Sequence, residues 1–421
     1  MQPSPQDQPP GHAKLGLWDA VSIIVGIIVG VGIFANPRIV FGEAPNAWSA
    51  LGLWVLGGLF ALVGAFCFAE LASTYPRSGG EYVYISRALG RFVGFLFAWA
   101  QLTVIRPGSI AGLAYIFAET FIKLIGWSES WTWAFACLPL ILLTLVNVIG
   151  VRFGTRAQNL LTAAKVLGLL ALVVVGLRFG DASRINESNA AAQPGWFISG
   201  MILVLWAYSG WHEAAYVAAE VKDAKRNLPL ALILGTLAVM AVYLLVNVAM
   251  LLGLGLTDAS QKTASVDMIK LALPGYGDRL MSVFILVSSL GAINGMIFTT
   301  ARIYSEFAAD HRLFKPLSHW SKRLRTPARA LVLQGLISVA IIVGVWVLGS
   351  GKDSLELSID LTAAVFWLFF LLTGVSLFIL RSKDADVVRP FPVPLYPVLP
   401  FVYCCGCLYM VGGCVVAKPL E

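Results

Sequence analysis

Lys165 lies in LLTAAKVLGLLALVV and Arg106 in QLTVIRPG, each inside an apolar run long enough to cross a bilayer. A cation at such depth costs on the order of 3 kcal/mol by insertion scales, so it needs a partner. For Lys165 the expected partner is a set of backbone carbonyls freed in Ile23–Pro37, IIVGIIVGVGIFANP, which Gly26, Gly30 and Gly32 interrupt and Pro37 closes. An ammonium among those carbonyls would take the place of a bound Na⁺. The alternative is snorkelling of the long side chain to the membrane surface. Arg106 is deeper and precedes Pro107, whose missing N–H kinks a helix. Hydrogen bonds to kink-exposed carbonyls are its expected role. His212 and Glu213, adjacent in LWAYSGWHEAAY, could relay protons or form an ordinary hydrogen-bonded pair. Glu70, Glu119 and Glu220 lie near the ends of apolar runs and read as solvated or salt-bridged.

No Ser/His/Asp, HExxH, CxxC or Walker spacing supplies a reaction centre, so the chain reads as a non-enzyme without metal or cofactor. The six cysteines (67, 137, 404, 405, 407 and 414) fall in apolar runs and read as small packing residues.

The elements that must position these residues are membrane helices. Hydrophobic residues make up 58% of the 421 and charged residues 13%, against about 25% charge in soluble domains. Mean hydropathy is +0.80. The chain is therefore an all-α polytopic membrane protein, and its net charge of +7 reflects basic loops rather than nucleic-acid binding. Eleven apolar stretches of spanning length occur at about 17–36, 48–72, 92–124, 131–150, 158–177, 196–218, 228–256, 281–304, 330–349, 355–380 and 396–416. With the N-terminus inside, the tail and inner loops hold 19 of the 30 Lys and Arg and the outer side nine. That bias places the N-terminus in the cytoplasm and leaves residue 421 outside. Residues 1–14, polar and Pro-rich, read as a disordered cytoplasmic tail, and 381–421 as an inner loop and the eleventh helix.

Glycine costs a helix interior about 1 kcal/mol relative to alanine, so Gly30-Val31-Gly32 is the weak point of the first span. Close helix packing and a ligand site on unwound backbone both account for it. A second weak point separates these readings: Ser209-Gly210 interrupts the sixth span, Leu203–Glu220, between bulky aromatics. Spans one and six are five apart, so residues 15–178 and 195–380 can form an inverted repeat within a ten-helix core. Interrupted segments in corresponding positions of two halves point to a midplane transport site.

At GVGIF (30–34), IRP (105–107), AAK (163–165), LWAYSGW (205–211), AEVKDAKRNLP (219–229) and the GAING…TTAR run (291–302), the chain resembles the L-type amino-acid transporter family of the amino acid–polyamine–organocation superfamily. The resemblance covers about Leu15 to Cys414. It implies a LeuT-like five-plus-five inverted repeat with broken helices 1 and 6. It places the substrate carboxylate on N–H groups of Gly30, Val31 and Gly32. The ammonium falls on carbonyls near Ile28 and from Trp206, Ala207 and Ser209, beside Gly210. It makes Trp206 the outer gate and Lys165 the coupling lysine.

Three departures from the family pattern bear on function. Val31 stands where many relatives have Ser, which leaves only backbone for the carboxylate. Ser209 stands where relatives taking dibasic substrates often carry Asp, which favours neutral side chains. The outer loop Ile125–Trp131 lacks the cysteine by which animal members tether a heavy subunit, so no disulfide-linked partner is expected and a bacterial inner-membrane protein is. A twelfth helix, usual in the family, does not follow the eleventh.

The expected function is alternating-access transport of neutral L-amino acids, by sodium-independent exchange, with proton symport as the alternative. An amino-acid-binding channel or receptor is the competing class. It would call for charge rings, carbonyl filters or a signalling domain, none of which the sequence offers.

Overall fold

The computed structural model describes residues 15–189, 195–321, 323–347 and 351–417, with the side chains of 351–363 and 415–417 left aside; the expected tail, 1–14, lies outside them. Apolar runs become helices because a bilayer core offers no partner for exposed N–H and C=O groups. In chain order these are α1 (Leu17–Ile28), α2 (Gly32–Glu43), α3 (Ala47–Thr74), α4 (Glu81–Leu89), α5 (Arg91–Ala100) and α6 (Arg106–Ile125). They continue with α7 (Thr132–Ile149), α8 (Val151–Phe179), α9 (Trp196–Tyr208), α10 (Ala224–Ala259), α11 (Ala264–Ala272), α12 (Gly277–Asp310), α13 (Ala328–Val347), α14 (Gly351–Lys383) and α15 (Val398–Ala417).

Among the described residues, eight helices are long and apolar enough to cross a membrane. The pair α1 and α2 makes a ninth span bent by 49°. Of the other two stretches expected to span, the interrupted sixth carries the 13-residue α9 ahead of its break, and the eleventh forms the shorter apolar helix α15. Pro107 acts differently from expectation: residues Gln101–Ile105 ahead of it form a π turn before α6 resumes. Such a turn inserts an extra residue and re-aims the side chains that follow.

Helices of the first and second parts of the chain lie against each other: α2 on α9, α3 on α10, α6 on α12 and α7 on α13. Small residues allow these approaches. Gly57 and Gly58 of α3 sit where a Cβ would stand 2.3 Å from Val204 and 2.7 Å from Met240. Outward faces carry Leu142, Leu145, Leu160, Leu167 and Val174, exposed as lipid-facing side chains must be.

On the face where α1 begins, called here the N-terminal face, the chain is laced shut. Leu15 pairs with Val221 as a short parallel bridge, its N–H donating to the Glu220 carbonyl at 3.0 Å and its carbonyl accepting from Lys222 N–H at 2.9 Å. Arg302 holds Glu220 through two nitrogens at 2.7 and 3.1 Å. Arg381 and Arg389 hold Glu70. Glu70 and Glu220 are thus buried and salt-bridged, not solvated.

Candidate functional site

The two weak points in the sequence meet in space. The α1 helix ends at Ile28, and Val29 leaves helical geometry at φ −70°, ψ 79°. The Gly30 N–H then turns back onto the Ile28 carbonyl at 2.7 Å, and α2 starts at Gly32. Opposite, α9 ends at Tyr208, Ser209 adopts φ −57°, ψ 136°, and Gly210 takes φ +124°. A Cβ on Gly210 would be strained by that φ and would stand 3.1 Å from Ile28. On the other strand of the contact, a Cβ on Gly32 would stand 3.2 Å from the Trp206 ring. Glycine at both points lets the breaks approach face to face.

The consequence is a cavity of about 190 Å³ between them, lined by Ile27, Val31, Trp206 and Ser209 together with Ile105, Met296 and Trp367. Positive N–H ends of α2 point into it, because the first turn of a helix has no intrahelical acceptors. Carbonyl ends of α1 and α9 face the same space.

Lys165 does not snorkel. Its ammonium is buried and donates to the carbonyls of Gly26 at 2.7 Å and Val29 at 2.9 Å. Gly291 of α12 makes room for it, since a Cβ there would lie 2.7 Å from Nζ. The lysine therefore fastens the end of α1 across its break.

Tyr243 was not singled out from sequence, although it is a polar tip in the middle of LAVMAVYLLVNVAM. Its hydroxyl stands 2.8 Å from the Ile28 carbonyl oxygen and 3.3 Å from that of Ala207. One side chain thus bridges both breaks. The Ile28 carbonyl, accepting from Tyr243 and Gly30, has both lone pairs engaged, and the Gly30 N–H is spent locally. Among the described residues no protein donor reaches the Ile27 carbonyl, one residue earlier.

Arg106 departs from expectation. It bonds no kink carbonyl; its Nη1 lies 2.6 Å from Glu213 Oε1 and its Nε donates to Gln101 Oε1 at 3.1 Å. The π turn is what swings Arg106 and Gln101 to the same side. Nor do His212 and Glu213 form a hydrogen-bonded pair: they stand 3.7 Å apart, and the second Glu213 oxygen accepts from Thr299 at 2.7 Å. Both Arg106 and Glu213 line the cavity floor. A carboxylate is therefore present where sequence reading placed none, neutralised by its arginine.

The sequence profile of the family described as amino acid permease matches residues 15–418. The b(0,+)-type amino acid transporter 1 of Homo sapiens is 31% identical over 96% of this chain and 83% of its own length. The serine/threonine exchanger SteT of Bacillus subtilis (strain 168) is 29% identical over 97% of this chain and 92% of its own. The Asc-type amino acid transporter 1 of Homo sapiens is 30% identical, over 97% and 78%.

Proposed function

The chain belongs to the amino acid permease family, and we propose that it exchanges neutral L-amino acids across a bacterial inner membrane without sodium. The facing breaks carry this reading. The substrate carboxylate binds the N–H groups of Val31 and Gly32 at the start of α2. The ammonium binds the Ile27 carbonyl and the remaining lone pairs of Ala207 and Ser209. Gly30 and Ile28, with their groups engaged, shape the turn, and Gly210 lets the second break close on the first. Trp206, 48% exposed over Gly32, is the gate on the side opposite the N-terminal face. The N-terminal face is cytoplasmic by its excess of Lys and Arg, so access alternates as spans one and six rock against their neighbours.

Neutral side chains are favoured because the Arg106–Glu213 pair leaves no net charge on the cavity floor. Relatives by name include a serine/threonine exchanger and an Asc-type amino acid transporter, in keeping with this. Sodium independence rests on Lys165: an ammonium and Na⁺ would compete for the same carbonyls of α1. The outer loop without cysteine supports a carrier that works without a disulfide-linked subunit.

Uptake of labelled amino acid into proteoliposomes tests the reading. Vesicles preloaded with unlabelled amino acid accumulate label and empty ones do not, whether or not Na⁺ or pH gradients are imposed. Na⁺-driven uptake into empty vesicles would sink the Lys165 argument. Acid-driven uptake into empty vesicles would replace exchange by proton symport.

A further inference from the structure

We propose that Glu81 and His212 form a proton-binding site beneath the cavity, separate from Lys165, whose occupancy is tied to closure of the N-terminal face. Glu81 opens α4 directly after Gly79 and Gly80, at φ +99° and +50°. The Gly79 N–H donates to the Tyr216 carbonyl at 3.0 Å, and a Cβ on Gly80 would stand 2.6 Å from the Tyr216 ring. Only glycine lets this turn press Glu81 against the inner half of the broken sixth span. There Glu81 is 1% exposed and His212 0%.

Among the described residues, no lysine or arginine forms an ion pair with Glu81; Arg106 is committed to Glu213. The imidazole of His212 faces it instead, Nε2 3.9 Å from Oε1 and 3.4 Å from Arg106 Nη2, and the Tyr216 hydroxyl hydrogen-bonds the carboxyl. Glu81 Oε2 and His212 Nδ1 are buried without hydrogen-bond partners, as is the hydroxyl of Tyr84. Five other groups complete the surroundings: Arg106 and Tyr304, from α6 and α12, and Gln101, Glu213 and Tyr216 beside them. Glu306 and Asp310 of α12 are taken by Arg77 and Tyr82. Lys383 and Asp384 meet Arg87 at the far end of α4, and Arg91 of α5 is exposed.

A carboxylate sealed from water without its own cation is unfavourable, and burial pushes the Glu81 carboxyl up to about 8. When the N-terminal face opens, the segment bearing His212 and Tyr216 leaves Glu81. Water enters, and the carboxyl returns toward its ordinary value near 4.3, releasing the proton to that side. The raised value belongs to the closed state, so acid favours closure. That advantage is complete below about 4.3 and is lost as pH rises through about 8. Between these limits opening becomes easier by up to about tenfold per pH unit.

The test is exchange in proteoliposomes with amino acid on both sides, varying the pH at the N-terminal face. Exchange rises from pH of about 6 to about 8 and then levels, whereas Glu81→Gln exchanges at a rate without this rise. Infrared titration of purified protein supplies a readout independent of transport. It shows a protonated-carboxyl band that fades near pH 8 and is missing from Glu81→Gln. A variant that keeps the wild-type pH profile overturns the proposal. So does wild-type protein with no protonated carboxyl at pH of about 6, a measurement that stands even if the variant fails to fold. Exchange that survives in Glu81→Gln leaves the exchanger reading intact, so the two can fail separately.

Discussion

Three residues concentrate the chemistry of the site, and each can be tested by a single substitution. Tyr243→Phe keeps the ring and deletes the hydroxyl that holds the Ile28 and Ala207 carbonyls. A hydrogen bond of this kind is worth about 1 kcal/mol net. Half-saturation for substrate should therefore rise about fivefold, read from competition curves, with yield and melting temperature little changed. Lys165→Met leaves the Gly26 and Val29 carbonyls without a donor and should abolish exchange while substrate still binds. Wild-type flux in that variant would reduce the lysine to a packing role. Arg106→Gln strips the counter-ion from Glu213 at the cavity floor. Losing one partner of a buried pair costs about 3–5 kcal/mol, so the protein should melt earlier. In what remains folded, lysine should now compete with neutral amino acids for transport. If lysine is still ignored, Glu213 does not face the substrate.

At the scale of elements, the helices are held by close approach of small residues, and this can be probed away from the site. Gly176 of α8 lies where a Cβ would stand 2.4 Å from the Ala249 carbonyl oxygen of α10. Because the neighbour is backbone, Gly176→Ala must part the two helices, at about 1–3 kcal/mol. Gly30→Ala meets nothing nearer than 3.8 Å and should keep its stability. Its effect, if any, appears in transport, through the turn at the break. Melting in detergent separates the two: a drop in the first variant and none in the second. Equal stabilities would mean that the α8–α10 contact gives way at no cost.

Leu15 and Val221 bridge at the N-terminal face, and Trp206 is half exposed. Substrate that binds between the breaks ties α1, α2 and α9 together and should stabilise the fold. At a concentration 100 times its dissociation constant the gain is about 2.7 kcal/mol, measurable as a rise in melting temperature that neutral amino acids give and lysine does not. A fold indifferent to every neutral amino acid would remove the cavity between the breaks from consideration.

The fold class was legible in sequence because a bilayer leaves the backbone little choice. Eleven long apolar stretches had to become helices, and glycine at Gly30, Gly32 and Gly210 marked where two of them come apart. Lys165 was legible too, since a deep cation demands acceptors and one stretch could free them. What sequence could not show depends on which faces turn toward each other. The π turn before Pro107 rotates Arg106 away from kinked backbone and onto Glu213, a partner 107 positions along the chain. Tyr243 bridges both breaks only because α10 packs against α1. Glu81 drew no notice in the sequence, and only the turn at Gly79 and Gly80 brings it against Tyr216. Periodicity and composition report how much of a helix is apolar. They do not report the rotation of one helix against another, and that rotation decided the contacts of Tyr243 and of Arg106 with Glu213.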